Sequence, residues 1–417
     1  MKLAYIKAMV DKNRVALSSI PQARKELPAV NDVSVGLSSP EDCKVDFPVS
    51  LQPNPGLGVF DEVDINEDTE GSGKGGARIF LPERWRNDEF DIDHLSISFL
   101  NSPYVFGGKI SRRIPGFHFC GQTIITSDGK LIGASYGTMD GNQALPGDIL
   151  CKDGDGFKYQ GPEFAERMPG AYYLIGNVHR HFGHVVLEGL TRLWAVKYFS
   201  GDPSIRFAVY EDEMRPFATM LLEFAGVGSE KIVSIPEAAV VEKLIVPDSS
   251  MRSHRWITQQ QMNVWRNIAE SVVGRSPSKP HRKTYLSRKK ILDRPLENEA
   301  AVENFFADQG FDVICPETMS LQDQIKIANE SSILAGPVGS QMYLAAFQQR
   351  GTNCFVVAPR NFYLRDDSLI SSANEGNLRV CFGSLIDFNR GKQERSWSVD
   401  LEKLKKSYIG FLDGIRL

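Results

Sequence analysis

Three of the chain's seven histidines, His179, His181 and His184, fall within six positions, and Glu188 and Arg192 follow His184 at intervals of four. On a helix, residues four and eight apart share one face. An imidazole titrates near neutrality and can take a proton, and a carboxylate one turn on can orient its ring and fix the tautomer. His184 with Glu188 is therefore a candidate acid–base pair. Glu188 is itself a second candidate base, with Arg192 positioning it. The plainer reading is an ordinary helix ion pair between Glu188 and Arg192.

A second group has the chemistry of anion binding. Ser287-Arg288-Lys289-Lys290, with Arg294 close behind, places four cations within seven positions. Further on stands Ala335-Gly336-Pro337-Val338-Gly339-Ser340. Glycines let a backbone approach a ligand, and a helix opening at Ser340 presents unpaired N–H groups to an anion. Guanidinium and ammonium groups beside such a turn suit a diphosphate, which makes Arg288, Lys289, Arg294, Gly336, Gly339 and Ser340 candidates for holding one. The turn lacks the Gly-x-Gly-x-x-Gly spacing of a dinucleotide fingerprint. Gly73-Lys74 is not a P-loop either, since Gly75 stands where Ser or Thr must hold the metal.

Both groups need strands and helices to hold them. The apolar, aromatic run 171–175 predicts a buried strand ending at Gly176. Val186, Leu187, Leu190, Leu193 and Trp194 recur at helical spacing and predict a helix from Phe182. Strands are expected at 205–210, 231–235 and 243–246, with helices at 214–225 and 256–273; Gly274 and a Pro-rich linker at 276–280 follow.

The alternation then restarts. Strands are expected at 284–287, 311–315, 332–335 and 353–357, with helices at 297–309, from Ser320 (Asp323 standing at the capping-box spacing) and at 340–347. A last helix, 401–411, is expected to pack back on the first domain. Short β-type runs between Ala77 and Cys151, among them Phe117-His118-Phe119 and a hairpin turning at Asp128-Gly129, predict a small antiparallel sheet leading into the first domain. The expected fold is α/β: two doubly wound Rossmann-type domains facing across a cleft, preceded by a β-rich segment. The expected divisions are an N-terminal extension, 1–77, ending in an acidic and Gly-rich linker; a first domain, 78–275; and a second, 281–417.

Composition bounds the function. The 417 residues carry a net charge of −4, which argues against a nucleic-acid partner. The six cysteines are scattered without a Cys-x-x-Cys pair, which fits a reducing compartment. The opening apolar stretch is broken by Lys7, and no run approaches the roughly 18 apolar residues of a membrane span. The expectation is a cytoplasmic protein, with peripheral contact at the inner membrane face left open.

The second half resembles glycosyltransferase family 61, whose bacterial members serve capsule and exopolysaccharide assembly. The resemblance rests on Tyr285-Leu-Ser-Arg288, Arg294, Asn298-Glu299, Gly310-Phe311, Pro316-Glu317, Leu321 with Gln324, and Gly336-Pro337-x-Gly339 ending at Phe347. Upstream, Phe182-Gly183-His184 with Leu187-Glu188 and Arg192-Leu193 is similar to that family's aromatic-x-His-x-x-Leu-Glu-x-x-Pro-Arg-Leu helix. The resemblance implies a GT-B fold, inversion at the anomeric carbon, and neither metal nor other cofactor. It also implies a nucleotide-sugar donor and an oligosaccharide or lipid-linked glycan acceptor. It adds Glu299 and Gln324 to the donor candidates and leaves His179, His181 and Arg192 on the acceptor side. The chain departs from the family with His181 for Asn, Val185 for Trp, Thr191 for Pro and Val338 for His.

Two other classes compete. His179-x-His181-x-x-His184 also matches the zinc-binding loop of metallo-β-lactamase-type hydrolases, although Gly183 stands where the second metal's Asp belongs. A non-catalytic sugar-nucleotide-binding protein would keep the fold and lose turnover. Stoichiometric zinc would favour the former; binding of a nucleotide sugar without release of nucleotide would favour the latter.

Overall fold

The computed structural model describes residues 44–48, 59–60, 78–79, 94–107, 123–127, 132, 150–153, 156–159, 165–178, 181–210, 214–359, 362–386 and 396–415. The expectations for 61–76, for Phe117-His118-Phe119, for the turn at Asp128-Gly129 and for His179 lie outside these residues. The chain forms two compact units, one of Met1–Leu51 with Glu89–Val264 and one of Gln52–Asp88 with Trp265–Leu417. Among the described residues, no helix is long and apolar enough to cross a membrane.

The first unit is built on one mixed sheet. Its strands are β1 (Lys44–Pro48), β2 (His94–Asn101), β3 (Tyr104–Phe106), β4 (Thr123–Ile125), β5 (Glu166–Gly176), β6 (Ile205–Val209), β7 (Ile232–Ser234) and β8 (Ala238–Pro247). The order is β1-β2-β8-β5-β6-β7, with β3 joining β8 to β4. The strands β8, β5, β6 and β7 run parallel, whereas β2 and β3 pair antiparallel to β8. Among the described residues of the β-rich segment, β2, β3 and β4 join this sheet, while Leu150–Asp153 and Gly156–Tyr159 pair as a small antiparallel sheet of their own. Strands β2 and β3 cover the edge of β8, whose residues 238–241 are all buried and would otherwise expose a pairing edge. The helix expected at 214–225 is α1 (Pro216–Phe224), with Pro216 at its first position.

The segment after β5 departs from the expected regular helix. One α-turn at Phe182–His184 passes into a π-helical turn at Val185–Gly189, then into a 3-10 helix at Leu193–Tyr198. Leu190 N–H reaches back five residues to the Val185 carbonyl at 3.1 Å, and the Thr191 hydroxyl donates to the Glu188 carbonyl at 2.8 Å. A side chain that bonds the preceding turn competes with the regular ladder. The wider turn changes which face residue 192 occupies.

In the second unit the strands are β9 (Arg282–Leu286), β10 (Asp312–Ile314), β11 (Ser331–Pro337), β12 (Asn353–Pro359) and β13 (Leu378–Leu385). They form a parallel sheet in the order β10-β9-β11-β12-β13, extended by Val59–Phe60 in parallel and by Trp397–Ser398 antiparallel to β13. The helix expected at 256–273 runs over Gln259–Val273 and carries the chain from the first unit into the second, whose further α-helices are α2 (Glu299–Asp308), α3 (Leu321–Glu330), α4 (Asp366–Ala373) and α5 (Leu401–Ile415). Ser320 caps α3 as its spacing predicts, its Oγ accepting the Asp323 N–H at 3.1 Å. Aromatic rings dominate the core: Phe306 lies 4.9 Å from Tyr285 and 5.7 Å from both Phe355 and Tyr408, centroid to centroid. Tyr408 and Phe411 bring α5 into this core, so the last helix, expected on the first domain, packs within the second unit.

Candidate functional site

In the first unit the parallel strands run β8-β5-β6-β7, so the chain builds outward from β5 and then crosses back to β8 on its other side. Such a reversal opens a crevice at the carboxyl ends of the two adjacent strands, here β5 and β8. Arg192 spans those ends. Its Nε donates to the Pro247 carbonyl at 3.1 Å and its Nη1 to the Ile175 carbonyl at 3.4 Å. Its own carbonyl accepts from the Tyr173 hydroxyl. Burial pulls the Arg192 pKa below the usual arginine value, opposed by Tyr210, Asp248 and Tyr173. The expected polar stripe therefore breaks at its third member, whose guanidinium braces two strand ends inside the protein.

Its first two members meet. His184 Nδ1 lies 3.2 Å from Glu188 Oε1, and both side chains keep 23% of their surface exposed. An ionised carboxylate only accepts, so this contact suits the tautomer that carries its proton on Nδ1. The Ser253 hydroxyl stands 3.5 Å from the same Glu188 oxygen. Ser253 sits in the tight turn between the paired strands Met251–Arg252 and Trp256–Ile257, where His254 takes a φ of 62°. His181 is exposed, with its ring 6.2 Å from that of His184.

The second unit repeats the topology more simply. In chain order its sheet reads 2-1-3-4-5, and the reversal falls between β9 and β11. β9 delivers Ser287 and Arg288 at its carboxyl end, and β11 delivers Val338 and Gly339. The two candidate anion-binding features therefore touch. Arg288 Nη1 donates to the Val338 carbonyl at 3.3 Å and to Gln341 Oε1 at 3.2 Å, while Nη2 donates to the Asp293 carbonyl at 2.8 Å. A Cβ on Gly339 would lie 1.8 Å from Arg288 Nη1, so the glycine makes the room that the arginine occupies. A Cβ on Gly336 would lie 2.8 Å from the Leu286 carbonyl oxygen, so this glycine lets β11 approach β9.

Arg288 is only 8% exposed. Burial lowers its pKa, and the positive charge of Arg294 adds to that, opposed by Asp293, Glu299 and Glu317. Arg294 takes a φ of 52°, lies 4.1 Å from the centre of the Phe362 ring and pairs with Asp293 at 3.0 Å. Two guanidiniums near enough to oppose each other's charge at a strand-end crevice favour an anion.

The remaining candidates hold the frame. Glu299 Oε1 accepts the Arg288 backbone N–H at 2.5 Å, and burial raises this carboxyl's pKa. Lys289 is exposed and lies 3.8 Å from Glu303, which also receives the Ser287 hydroxyl at 2.5 Å. Gln324 donates to the carbonyls of Pro316 and Met319 at 2.8 and 3.2 Å, fixing the turn before α3. Ser340 is exposed and opens a 3-10 helix, Ser340–Phe347, where an α-helix was expected. Gln341 was not among the candidates; only the folded turn reveals that its amide faces Arg288. Among the described residues, no group of three or more His, Cys, Asp or Glu side chains is placed to hold a metal ion.

No curated protein matches the chain. Residues 182–355 match the sequence model of the family Glycosyltransferase 61, a stretch running from the start of the His184–Glu188 segment through Arg288 and the glycine turn into β12. These residues are similar to glycosyltransferase family 61, and the match supports a glycosyltransferase activity.

Proposed function

We propose that this protein is an inverting, metal-independent glycosyltransferase, and transfers a sugar from a nucleotide-sugar donor to an oligosaccharide or lipid-linked glycan in surface polysaccharide assembly. The reading assigns the GT-B division of labour, with acceptor chemistry in a domain spanning 78–275 and donor contacts in one spanning 281–417. It rests on one observation above the rest: Arg288 lies over the Gly339 turn where β9 and β11 part, with Arg294 beside it. Negative charge grows on the leaving diphosphate as the glycosidic bond breaks, and fixed guanidiniums stabilise it. In this reading His184 takes the acceptor hydroxyl's proton at Nε2 while Glu188 holds its Nδ1–H. The reading places the enzyme in the cytoplasm, at or near the membrane face where glycan carriers are charged. The zinc-hydrolase and non-catalytic readings gain no support from the family match.

A thermal-shift panel of nucleotide sugars would identify the donor. Arg288→Ala should then weaken that donor roughly 10- to 100-fold by calorimetry, as expected for losing a charge-assisted contact. Unchanged affinity would remove the donor assignment, and turnover abolished by a chelator would remove metal independence.

A further inference from the structure

We infer that Gln341 is a positioning residue of the donor site, setting the guanidinium of Arg288 for the diphosphate. The inference rests on the donor reading above and names a residue which that reading does not contain. The Gln341 amide is committed at both ends. Its Nε2 donates to the Pro337 carbonyl, and its Oε1 accepts from Arg288 Nη1 at 3.2 Å. These partners fix which end is which, because a carbonyl requires the NH2 group and a guanidinium requires the oxygen. The amide therefore ties the arginine to the turn at the residue before Val338, whose carbonyl holds the same Nη1. The Val338 side chain is buried and apolar and can make no such bond. Gln341 is thus the polar side chain that turns back over this glycine turn.

The arrangement leaves the arginine both held and usable. A guanidinium has five N–H donors, and three are taken by Val338, Gln341 and Asp293. Two remain for an anion among the described residues. Without the Gln341 contact, a long side chain gains rotamer freedom that binding must then remove. A neutral amide does this without cancelling the charge, as a carboxylate in its place would.

Inorganic pyrophosphate, the smallest ligand with the donor's charge, tests the idea by calorimetry on the full chain. Gln341→Met keeps the bulk and removes both bonds, and should weaken pyrophosphate roughly tenfold, the usual range for a hydrogen bond to a charged group. Gln341→Glu puts a carboxylate against Arg288 and should weaken it further. The decisive readout is coupling: in an Arg288→Ala background, Gln341→Met should have almost no additional effect. Wild-type affinity in both Gln341 variants, or losses that simply add to that of Arg288→Ala, would overturn the inference while leaving the donor reading intact. If Arg288→Ala binds pyrophosphate as the wild type does, or the wild type does not bind it at millimolar concentration, the donor reading fails and the inference fails with it.

Discussion

His184 and Glu188 show what one side-chain pair can and cannot reveal from spacing. Their separation of four residues predicts the contact, and the contact survives because the turn between them stays helical enough to bring Nδ1 to Oε1. The next step of four fails: the π-turn and the Thr191 hydroxyl bond alter the register, and Arg192 turns into the crevice. A periodic pattern cannot show a wide turn, because apolar residues at 186, 187, 190 and 193 satisfy a regular helix equally well. If His184 is the base, His184→Ala should lower kcat roughly 100-fold or more, the usual share of general-base catalysis, with donor affinity nearly unchanged. Full turnover in that variant, once donor and acceptor are known, would move the role to Glu188. Arg192→Ala should instead lower the melting temperature, since it removes a brace between β5 and β8 and leaves buried carbonyls unpaired.

At the scale of elements, the second unit was largely readable. Its strands and helices alternate with clear turn residues between them, and Ser320 marks the start of α3 by its cap. The site was legible there as two separate features, a basic strand end and a glycine turn. Their contact was not, because it depends on β9 and β11 being neighbours, a matter of strand order and not of local pattern. Strand β2 escapes the sequence reading: Leu95-Ser96-Ile97-Ser98 alternates apolar and polar residues, yet the fold buries all four. Gly339→Ala tests the junction of the two elements. The added methyl would meet the far end of the Arg288 side chain, which can move, and not backbone. The sheet should therefore persist, while the guanidinium is driven from the turn and donor affinity falls roughly 10-fold or more, as for a lost charge-assisted contact. The φ of 157° at this position adds a backbone cost that an alanine rarely accepts. Calorimetry showing wild-type donor affinity in Gly339→Ala would mean that Arg288 does not act from its place over the turn.

Across the whole molecule each unit carries a core of its own, so stability belongs to the units before it belongs to the chain. The second unit also buries acid. Asp367, at the start of α4, is 6% exposed, and its Oδ2 finds no hydrogen-bond partner among the described residues. Burial raises its pKa well above the usual carboxylate value, and the neighbouring Asp366 adds to the rise. The sign follows from proton counts. Between the unfolded pKa, about 3.9, and the raised folded value, the native state holds a proton that the unfolded chain has lost. This group's contribution is therefore fully present below the unfolded value and is lost as pH rises through the folded one. Replacing Asp367 by Asn keeps the shape and removes the titration. Relative to wild type, Asp367→Asn should gain stability as pH is raised from about 4 towards alkaline values, whatever its offset at the acid end. Scanning calorimetry across that range would resolve the effect, and where the units melt separately it should fall on the transition of the unit containing α4. Parallel wild-type and variant curves would show that the Asp367 carboxyl titrates alike in the folded and unfolded chains, and that its burial costs the second unit nothing that depends on pH.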